Sequence, residues 1–198
     1  MPDTGSARTI RWDEGTWTTP PLSVAEAGTE LRVTAVEGSD AWRHTSYGFV
    51  HDTEHALLAP FPEQAAMEVE FLAEFPEQFD QAGIFVRVDD EHWVKAGVEF
   101  GDGVLQVGAV VTAGRSDWSV APVPDWQGTR VTIRASRAGD ALTIRARSGN
   151  EPFRLVRVVP LAPDAAATAG PMVCAPTRPG LTVAFSAWRV GPPDAALH

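Results

Sequence analysis

The sequence predicts an all-β protein, a sandwich or jelly roll, and three observations lead to this fold class. Apolar and polar residues alternate with period two in many segments, as they do in strands that bury one face. Turn residues recur at about every eight to twelve positions. No window carries the apolar stripe of an amphipathic helix. Together these features favour antiparallel sheets over any arrangement of βαβ units.

The first third of the chain contains short predicted strands separated by turns. Residues 10–17 bring two tryptophans close to a first strand, which Pro20 and Pro21 end. Residues 31–36 alternate and predict a strand. The aromatic, histidine-rich stretch 41–61 has no clear period, and it predicts a strand or loop at 47–50 followed by a strand at 57–60. Residues 67–75 alternate apolar and acidic side chains, which predicts a strand with one wet face.

The central stretch, residues 80–112, predicts three consecutive strands joined by two tight turns. Asp102-Gly103 is a strong signal for a two-residue hairpin, and residues 89–91 form the other turn. One face of these strands is apolar, and its members are Ala82, Ile84, Val86, Val88, Val94, Ala96, Val98, Phe100, Leu105, Val107, Ala109 and Val111.

The opposite face of the central stretch is polar and aromatic, and the register across both turns predicts its cross-strand rows. The rows are Gln81 with Glu99 and Gln106, Gly83 with Gly97 and Gly108, Phe85 with Lys95 and Val110, and Arg87 with Trp93. In the last row the Arg87 guanidinium can stack on the indole. The glycine row has two interpretations: either a ligand lies close against the backbone there, or large neighbours fold over the glycines.

The last third of the chain continues the same pattern. Residues 114–124 predict a loop or edge segment that contains Trp118. Residues 130–136 and 141–147 predict a hairpin around Ala138-Gly139-Asp140, and strands are expected at 153–159, 170–174 and 181–190. One domain over residues 9–190 accommodates all of these elements, with flexible termini at 1–8 and 191–198.

Composition and charge exclude some classes of partner. A net charge of −10 disfavours nucleic acid and anionic membranes as main partners. A single cysteine, Cys174, allows no internal disulfide framework and predicts a buried, inert thiol, which suits a reducing cytoplasm. The sequence contains no signal-peptide core and no run long enough to span a membrane. No cofactor is predicted, and the oligomeric state is left open.

Several motifs in a fixed order resemble one known family. They are YGFVHDTEH, DQAGIFVRVDDEHWVKAGVEF followed by DG, VVTAGRSDWSVAP, RASRAGDALTIRAR, GPMVCAP and the closing VAFSAWRV. This succession, over roughly residues 10–190, is similar to the family named for the regulation-of-enolase protein, a domain of unknown function. The resemblance implies a concanavalin A-like lectin/glucanase fold, a jelly roll of two curved antiparallel sheets. It implies no settled activity and no catalytic residues, since function is not carried by a fold.

The polar face of the central strands is the candidate binding site, and the resemblance implies that it lies on the concave sheet, where related lectins and glucanases bind sugars. Aromatic rings offer flat apolar surface to a sugar ring, and charged or amide groups offer hydrogen bonds to its hydroxyls. We therefore predict a carbohydrate or similar polyhydroxylated ligand, bound by Gln81, Phe85, Arg87, Trp93, Lys95, Glu99 and Gln106, with Tyr47, His55 and Trp118 at the rim. The competing interpretation is a solvated face on which Arg87, Lys95 and Glu99 form ordinary ion pairs.

Two other functions stay open. Glycoside hydrolysis needs two facing carboxyl groups, and Glu99 with Asp80 or Asp117 is the pair the sequence offers, although the Glu-x-Asp-x-x-Glu pattern of concanavalin-like glucanases is missing. A regulatory protein-interaction domain is the third possibility, with the glycine row as a trough for a peptide or subunit. His51 and His55 lie in a predicted surface loop, so we expect no metal site.

Overall fold

The computed structural model describes residues 7–197, which form two large antiparallel sheets and one small hairpin. The strands are β1 Arg8–Thr9, β2 Thr16–Trp17, β3 Ser23–Ala27, β4 Glu30–Thr34, β5 Ala41–Arg43, β6 Val50–Asp52, β7 His55–Pro60, β8 Ala65–Ala73, β9 Gln81–Arg87, β10 His92–Gly101, β11 Val104–Ala113, β12 Arg115–Pro122, β13 Thr129–Ala138, β14 Ala141–Ser148, β15 Arg154–Pro160, β16 Thr168–Cys174 and β17 Thr182–Gly191. Single 3₁₀ turns occupy Trp12–Glu14 and Pro124–Trp126.

The two sheets pack face to face around one hydrophobic core. The eight-stranded sheet has the order β15-β14-β13-β8-β17-β4-β3, with β1 also paired to β17, and the seven-stranded sheet has the order β12-β11-β10-β9-β16-β7-β2. The core between them contains Phe71, Ile84, Ile133 and Trp188, all fully buried. This arrangement confirms the predicted all-β sandwich of two antiparallel sheets.

The three central strands pair in the predicted register. Glu99 lies opposite Gln81 on one side and Gln106 on the other, and Gly97 lies between Gly83 and Gly108. The turn between β10 and β11 uses left-handed backbone at Asp102 (φ 55°) and Gly103 (φ 80°), as a primed hairpin turn requires. The even-numbered apolar side chains of β9 and β10 therefore face the core between the sheets. The odd-numbered ones face the other way, on what we call the outer face.

The glycine row on the outer face has a backbone cause. A Cβ at Gly83 would overlap the carbonyl oxygen of Ala96, and a Cβ at Gly97 would overlap that of Ala82. Gly108 is in the same position against Ser119 on the next strand. Neighbouring strands approach too closely for a side chain here, so close approach within the sheet explains the glycines. Neither a ligand nor covering side chains are needed to account for the row.

The hairpin of β5 and β6 lies on the outer face of the seven-stranded sheet, which was expected to be open to solvent. Its Trp42 joins a second, smaller core with Phe85, Trp93, Val110 and Met172. Phe85 and Trp93 stack with ring centroids 5.3 Å apart, and both are buried. The prediction of a fully wet face is therefore wrong: apolar rings on both the sheet and the hairpin leave water by packing together.

Arg87 also differs from expectation, and the C-terminal residues contact the eight-stranded sheet. Arg87 forms an ion pair with Asp90 and does not stack on Trp93. In the terminal segment predicted to be flexible, Asp194 accepts hydrogen bonds from Arg134 at 2.7 Å and Arg145 at 2.9 Å. At the N-terminus, where residues 1–8 were also predicted to be flexible, residues 1–6 lie outside the described residues and β1 begins at residue 8. Residue 198 also lies outside them.

Candidate ligand-binding site

A cavity of about 320 Å³ lies between the hairpin and the outer face, and we call it the Lys95 cavity. Gln81, Lys95, Glu99 and Val110 project into it from β9, β10 and β11 and form its floor. Its sides are formed by Asp40, Trp42, Tyr47, Phe49, His51 and Trp118. The volume lies at the small end of the roughly 300–1,000 Å³ typical of ligand pockets, which suits one ring-sized group.

The sides of the Lys95 cavity are aromatic and reach solvent. Tyr47 and Phe49 stack at 5.3 Å, and Trp42 meets Trp118 edge-on at 6.4 Å with an interplanar angle of 88°. Tyr47 is 60% exposed and Trp118 is 42% exposed. Large exposed rings are unfavourable in water, so a cluster of them beside a cavity indicates a surface that a partner covers.

The floor contains a buried ion pair. The Nζ atom of Lys95 lies 2.6 Å from Oδ1 of Asp40, and the same oxygen accepts the backbone N–H of Ala41 at 2.8 Å. Desolvation is the largest single influence and lowers the pKa of Lys95, but Asp40 acting together with Cys174 and Glu99 outweighs it, so the net shift is upward. Lys95 is therefore a fixed cation at the bottom of the cavity, and it tethers the start of the hairpin to the sheet.

Glu99 lies four residues further along β10, on the same face as Lys95, and its side chain lacks a full set of hydrogen-bond partners. Its Oε1 atom is buried and has no hydrogen-bond partner within residues 7–197. Burial raises the pKa of Glu99, and the ammonium of Lys95 offsets only part of this shift. An acceptor left without a donor in a cavity is a group that a ligand can satisfy.

A narrow cleft of about 20 Å³ continues from the floor toward the glycine row. Lys95, Gly97, Glu99, Gly108 and Trp118 are among the residues that line it. This space is sufficient for one group the size of a water molecule. The Lys95 cavity thus has a wide aromatic part and a small polar extension next to Glu99.

Five of the ten predicted binding residues line the Lys95 cavity, and five do not. Those in the cavity are Gln81, Lys95, Glu99, Tyr47 and Trp118. Phe85, Arg87 and Trp93 border a separate space of about 250 Å³ next to Asp52 and Glu54.

The remaining two predicted residues serve the fold. The Gln106 side chain is buried and donates to the carbonyl of Gly101 at 2.9 Å. His55 is buried, with Nδ1 3.0 Å from the Thr19 carbonyl and Nε2 accepting the N–H of Val36 at 3.0 Å, and burial lowers its pKa. Placing His55 at the rim was wrong, because both of its ring nitrogens are used within the protein.

Neither carboxylate suggested as a catalytic partner of Glu99 enters the Lys95 cavity. Asp80 is fully buried and bound by Arg178, whose Nη2 lies 2.6 Å from Oδ2. Asp117 is on the exposed side of β12 and pairs with Arg157 at 2.8 Å. The carboxylate that does share the cavity with Glu99 is Asp40.

Sequence reasoning missed Asp40, Trp42, Phe49 and His51, all of which line the Lys95 cavity. One signal for them is present. Tyr47, Phe49 and His51 occupy alternate positions, which is the spacing that places side chains on one face of an extended segment. The longer stretch 41–61 has no clear period, and in the structure His44 and Ser46, both in left-handed conformation, interrupt the extended backbone just before these three residues.

Other chemistry in the described part of the chain is sparse. Cys174 is completely buried beside Met172, and burial raises the pKa of its thiol. Among residues 7–197, no group of three or more His, Cys, Asp or Glu side chains is placed to hold a metal ion. Within the same residues no helix is long and apolar enough to cross a membrane.

The fold and the cavity together define a class: a concanavalin A-like jelly roll with a candidate ligand site on the outer face of one sheet. The chain belongs to the family described as "Protein of unknown function (DUF1349)", whose model matches residues 17–193. It is 37% identical over 186 residues to Regulation of enolase protein 1 of Saccharomyces cerevisiae, covering 93% of each chain. The resemblance inferred from the motifs is confirmed.

Solved structures share the fold. A crystal structure of a functionally unknown protein from Saccharomyces cerevisiae superposes with a TM-score of 0.86 at 35% identity, covering 94% of this chain and 100% of the other. The carbohydrate-binding module CBM66 from Bacillus subtilis superposes with a TM-score of 0.57 at 12% identity, covering 90% and 95%. These matches confirm the jelly roll.

Proposed function

We propose that this chain is a binding module for a carbohydrate or similar polyhydroxylated small molecule, held in the Lys95 cavity. The observation that carries the proposal is the juxtaposition of exposed aromatic rings with a polar, charged floor in one cavity. Trp42 and Trp118 offer apolar faces and edges to a sugar ring, and Gln81, Lys95 and Glu99 offer donors and acceptors to its hydroxyls. The fold shared with a carbohydrate-binding module supports the proposal but does not carry it.

The test is a glycan array probed with the wild-type protein and two single variants. Trp118→Ala removes an indole from the cavity, and Leu155→Ala removes a similarly exposed apolar side chain on β15, outside the cavity. We expect Trp118→Ala to lose most of the glycan signal and Leu155→Ala to keep it. Glycan binding that survives Trp118→Ala contradicts the placement of the site. No binding by the wild type removes the carbohydrate proposal and favours a regulatory protein-interaction domain.

Glycoside hydrolysis is the second candidate, and one observation favours it. Glu99 and Asp40 face the same cavity in different environments: burial raises the pKa of Glu99, while Asp40 lies 2.6 Å from the ammonium of Lys95. A glycosidase works with two carboxyl groups whose environments differ. Release of product from aryl glycosides by the wild type, abolished in Glu99→Gln, supports catalysis; equal background hydrolysis in both rejects it.

We also propose that the protein works in the cytoplasm and does not bind nucleic acid. The net charge of −10 opposes nucleic acid as a partner, and the single buried thiol suits a reducing cytoplasm.

A further inference from the structure

The charges of the Lys95 cavity do not balance. Asp40 and Lys95 neutralise each other at 2.6 Å, so Glu99 is the group without a counter-charge. Of the residues lining the cavity in the described chain, Lys95 is the one lysine or arginine, and Asp40 already occupies it. When Glu99 is ionised, the side chains that line the cavity carry a net charge of about −1, apart from the imidazole of His51, by the usual charges of these groups.

The side chain that carries the unpartnered atom, Glu99, lies between two spaces. Oε1 is buried and without a donor among the described residues, and Glu99 lines both the Lys95 cavity and the small cleft beneath it. A donor with a positive charge both fills the missing hydrogen bond and supplies the missing charge. A neutral hydroxyl supplies the hydrogen bond but not the charge.

The cleft limits the size of that donor. About 20 Å³ accommodates one water-sized group and so favours a primary ammonium over a bulkier acetamide or trimethylammonium. Gly97 and Gly108 line the cleft, so no side chain of theirs occupies it.

The aromatic part of the cavity favours a cation as well. Faces of indole and phenol rings attract positive charge, and Trp42, Tyr47 and Trp118 all line the cavity. The protein as a whole carries a net charge of −10, which raises the local concentration of cations around it.

We propose that the ligand of the Lys95 cavity is an amino sugar, with its primary ammonium in the cleft against Glu99 and its ring against the tryptophans. This inference rests on the proposed function and names the substrate class of the same site. It predicts selectivity for an unsubstituted amine over a hydroxyl or an acetylated amine at one ring position.

The test compares three probes that differ at one carbon: glucosamine, glucose and N-acetylglucosamine. Isothermal titration near neutral pH is run on the wild type, on Glu99→Gln, and on Asp117→Asn as a control. The control makes the same chemical change at an exposed carboxylate outside the cavity. We expect the wild type and Asp117→Asn to bind glucosamine at least about tenfold more tightly than the other two, which is a typical gain from a charged partner. In Glu99→Gln the preference falls to about threefold or less.

Three results overturn the inference. Equal affinity for glucosamine and glucose shows that the site does not distinguish an ammonium from a hydroxyl. In that case a positive glycan array still supports the carbohydrate proposal. An amine preference that persists in Glu99→Gln places the cation elsewhere. No binding of any probe also rejects the inference, and the glycan array then decides separately whether the site binds other sugars.

Discussion

Replacing Lys95 with methionine is the sharpest test of how the hairpin is held over the outer face. The change keeps the apolar stem and removes the ammonium that lies 2.6 Å from Asp40. Breaking a buried ion pair by removing one partner costs about 3–5 kcal/mol, because the other charge is left uncompensated. Asp40 keeps 21% of its side chain exposed, so water can partly reach it and the lower value, about 3 kcal/mol, is expected.

The assay is urea unfolding together with thermal melting. For a chain of this size, about 3 kcal/mol corresponds to a drop of roughly 6–12 °C in Tm. Two controls accompany Lys95→Met. Arg11→Met breaks the exposed pair with Asp13 and is expected to cost less than about 1 kcal/mol. The double variant Lys95→Met/Asp40→Asn leaves no uncompensated charge and is expected to recover most of the loss.

Two results would refute this reasoning. A cost for Lys95→Met within about 1 kcal/mol would mean that water screens the pair as it does on a surface. A double variant as unstable as the single one would show that the ammonium supports the hairpin through packing, independently of the charge on Asp40.

Three further predictions concern single residues. Because the folded-state pKa of Glu99 is raised, ionisation of Glu99 destabilises the fold above that pKa, and this penalty vanishes below the unfolded value of 4.5. Glu99→Gln should therefore raise Tm at neutral pH and lose this advantage below about pH 4.5. Melting curves that show the same advantage at every pH would contradict the prediction. Arg137 is buried and donates to four backbone carbonyls, among them Pro163 at 2.8 Å and Ala165 at 2.6 Å. Arg137→Met should therefore lower the free energy of unfolding in urea by about 3 kcal/mol and speed proteolysis between residues 161 and 167. Unchanged cleavage would show that this loop keeps its conformation without the arginine. Gly97→Ala should cost about 2 kcal/mol in urea unfolding because its Cβ overlaps the Ala82 carbonyl, and unchanged stability would mean that the strands can separate without cost.

The sequence predicted the central strands well because two strong local rules act there. Side-chain alternation assigned the faces, and the Asp102-Gly103 turn fixed the register, so the rows at Gly97 and Glu99 are correct. Such rules describe a strand and its immediate neighbours. They say nothing about a segment distant in sequence that packs over the face.

That distant segment is what the prediction lacked. The hairpin is only two three-residue strands around a loop with left-handed residues, so its period is too short to detect. Its Trp42 converts Phe85 and Trp93 from candidate ligand contacts into core, and it brings Asp40 to Lys95. Five of the ten predicted residues line the Lys95 cavity, and one of them, Tyr47, belongs to the loop of the hairpin itself.

The most direct test of the central claim is a crystal structure of the wild-type protein soaked with the tightest-binding saccharide from the array. We predict density in the Lys95 cavity, with a ring against Trp118 and a polar substituent within hydrogen-bond distance of Glu99 Oε1. Density only in the space beside Arg87, or elsewhere on the molecule with the Lys95 cavity unchanged, would contradict the account.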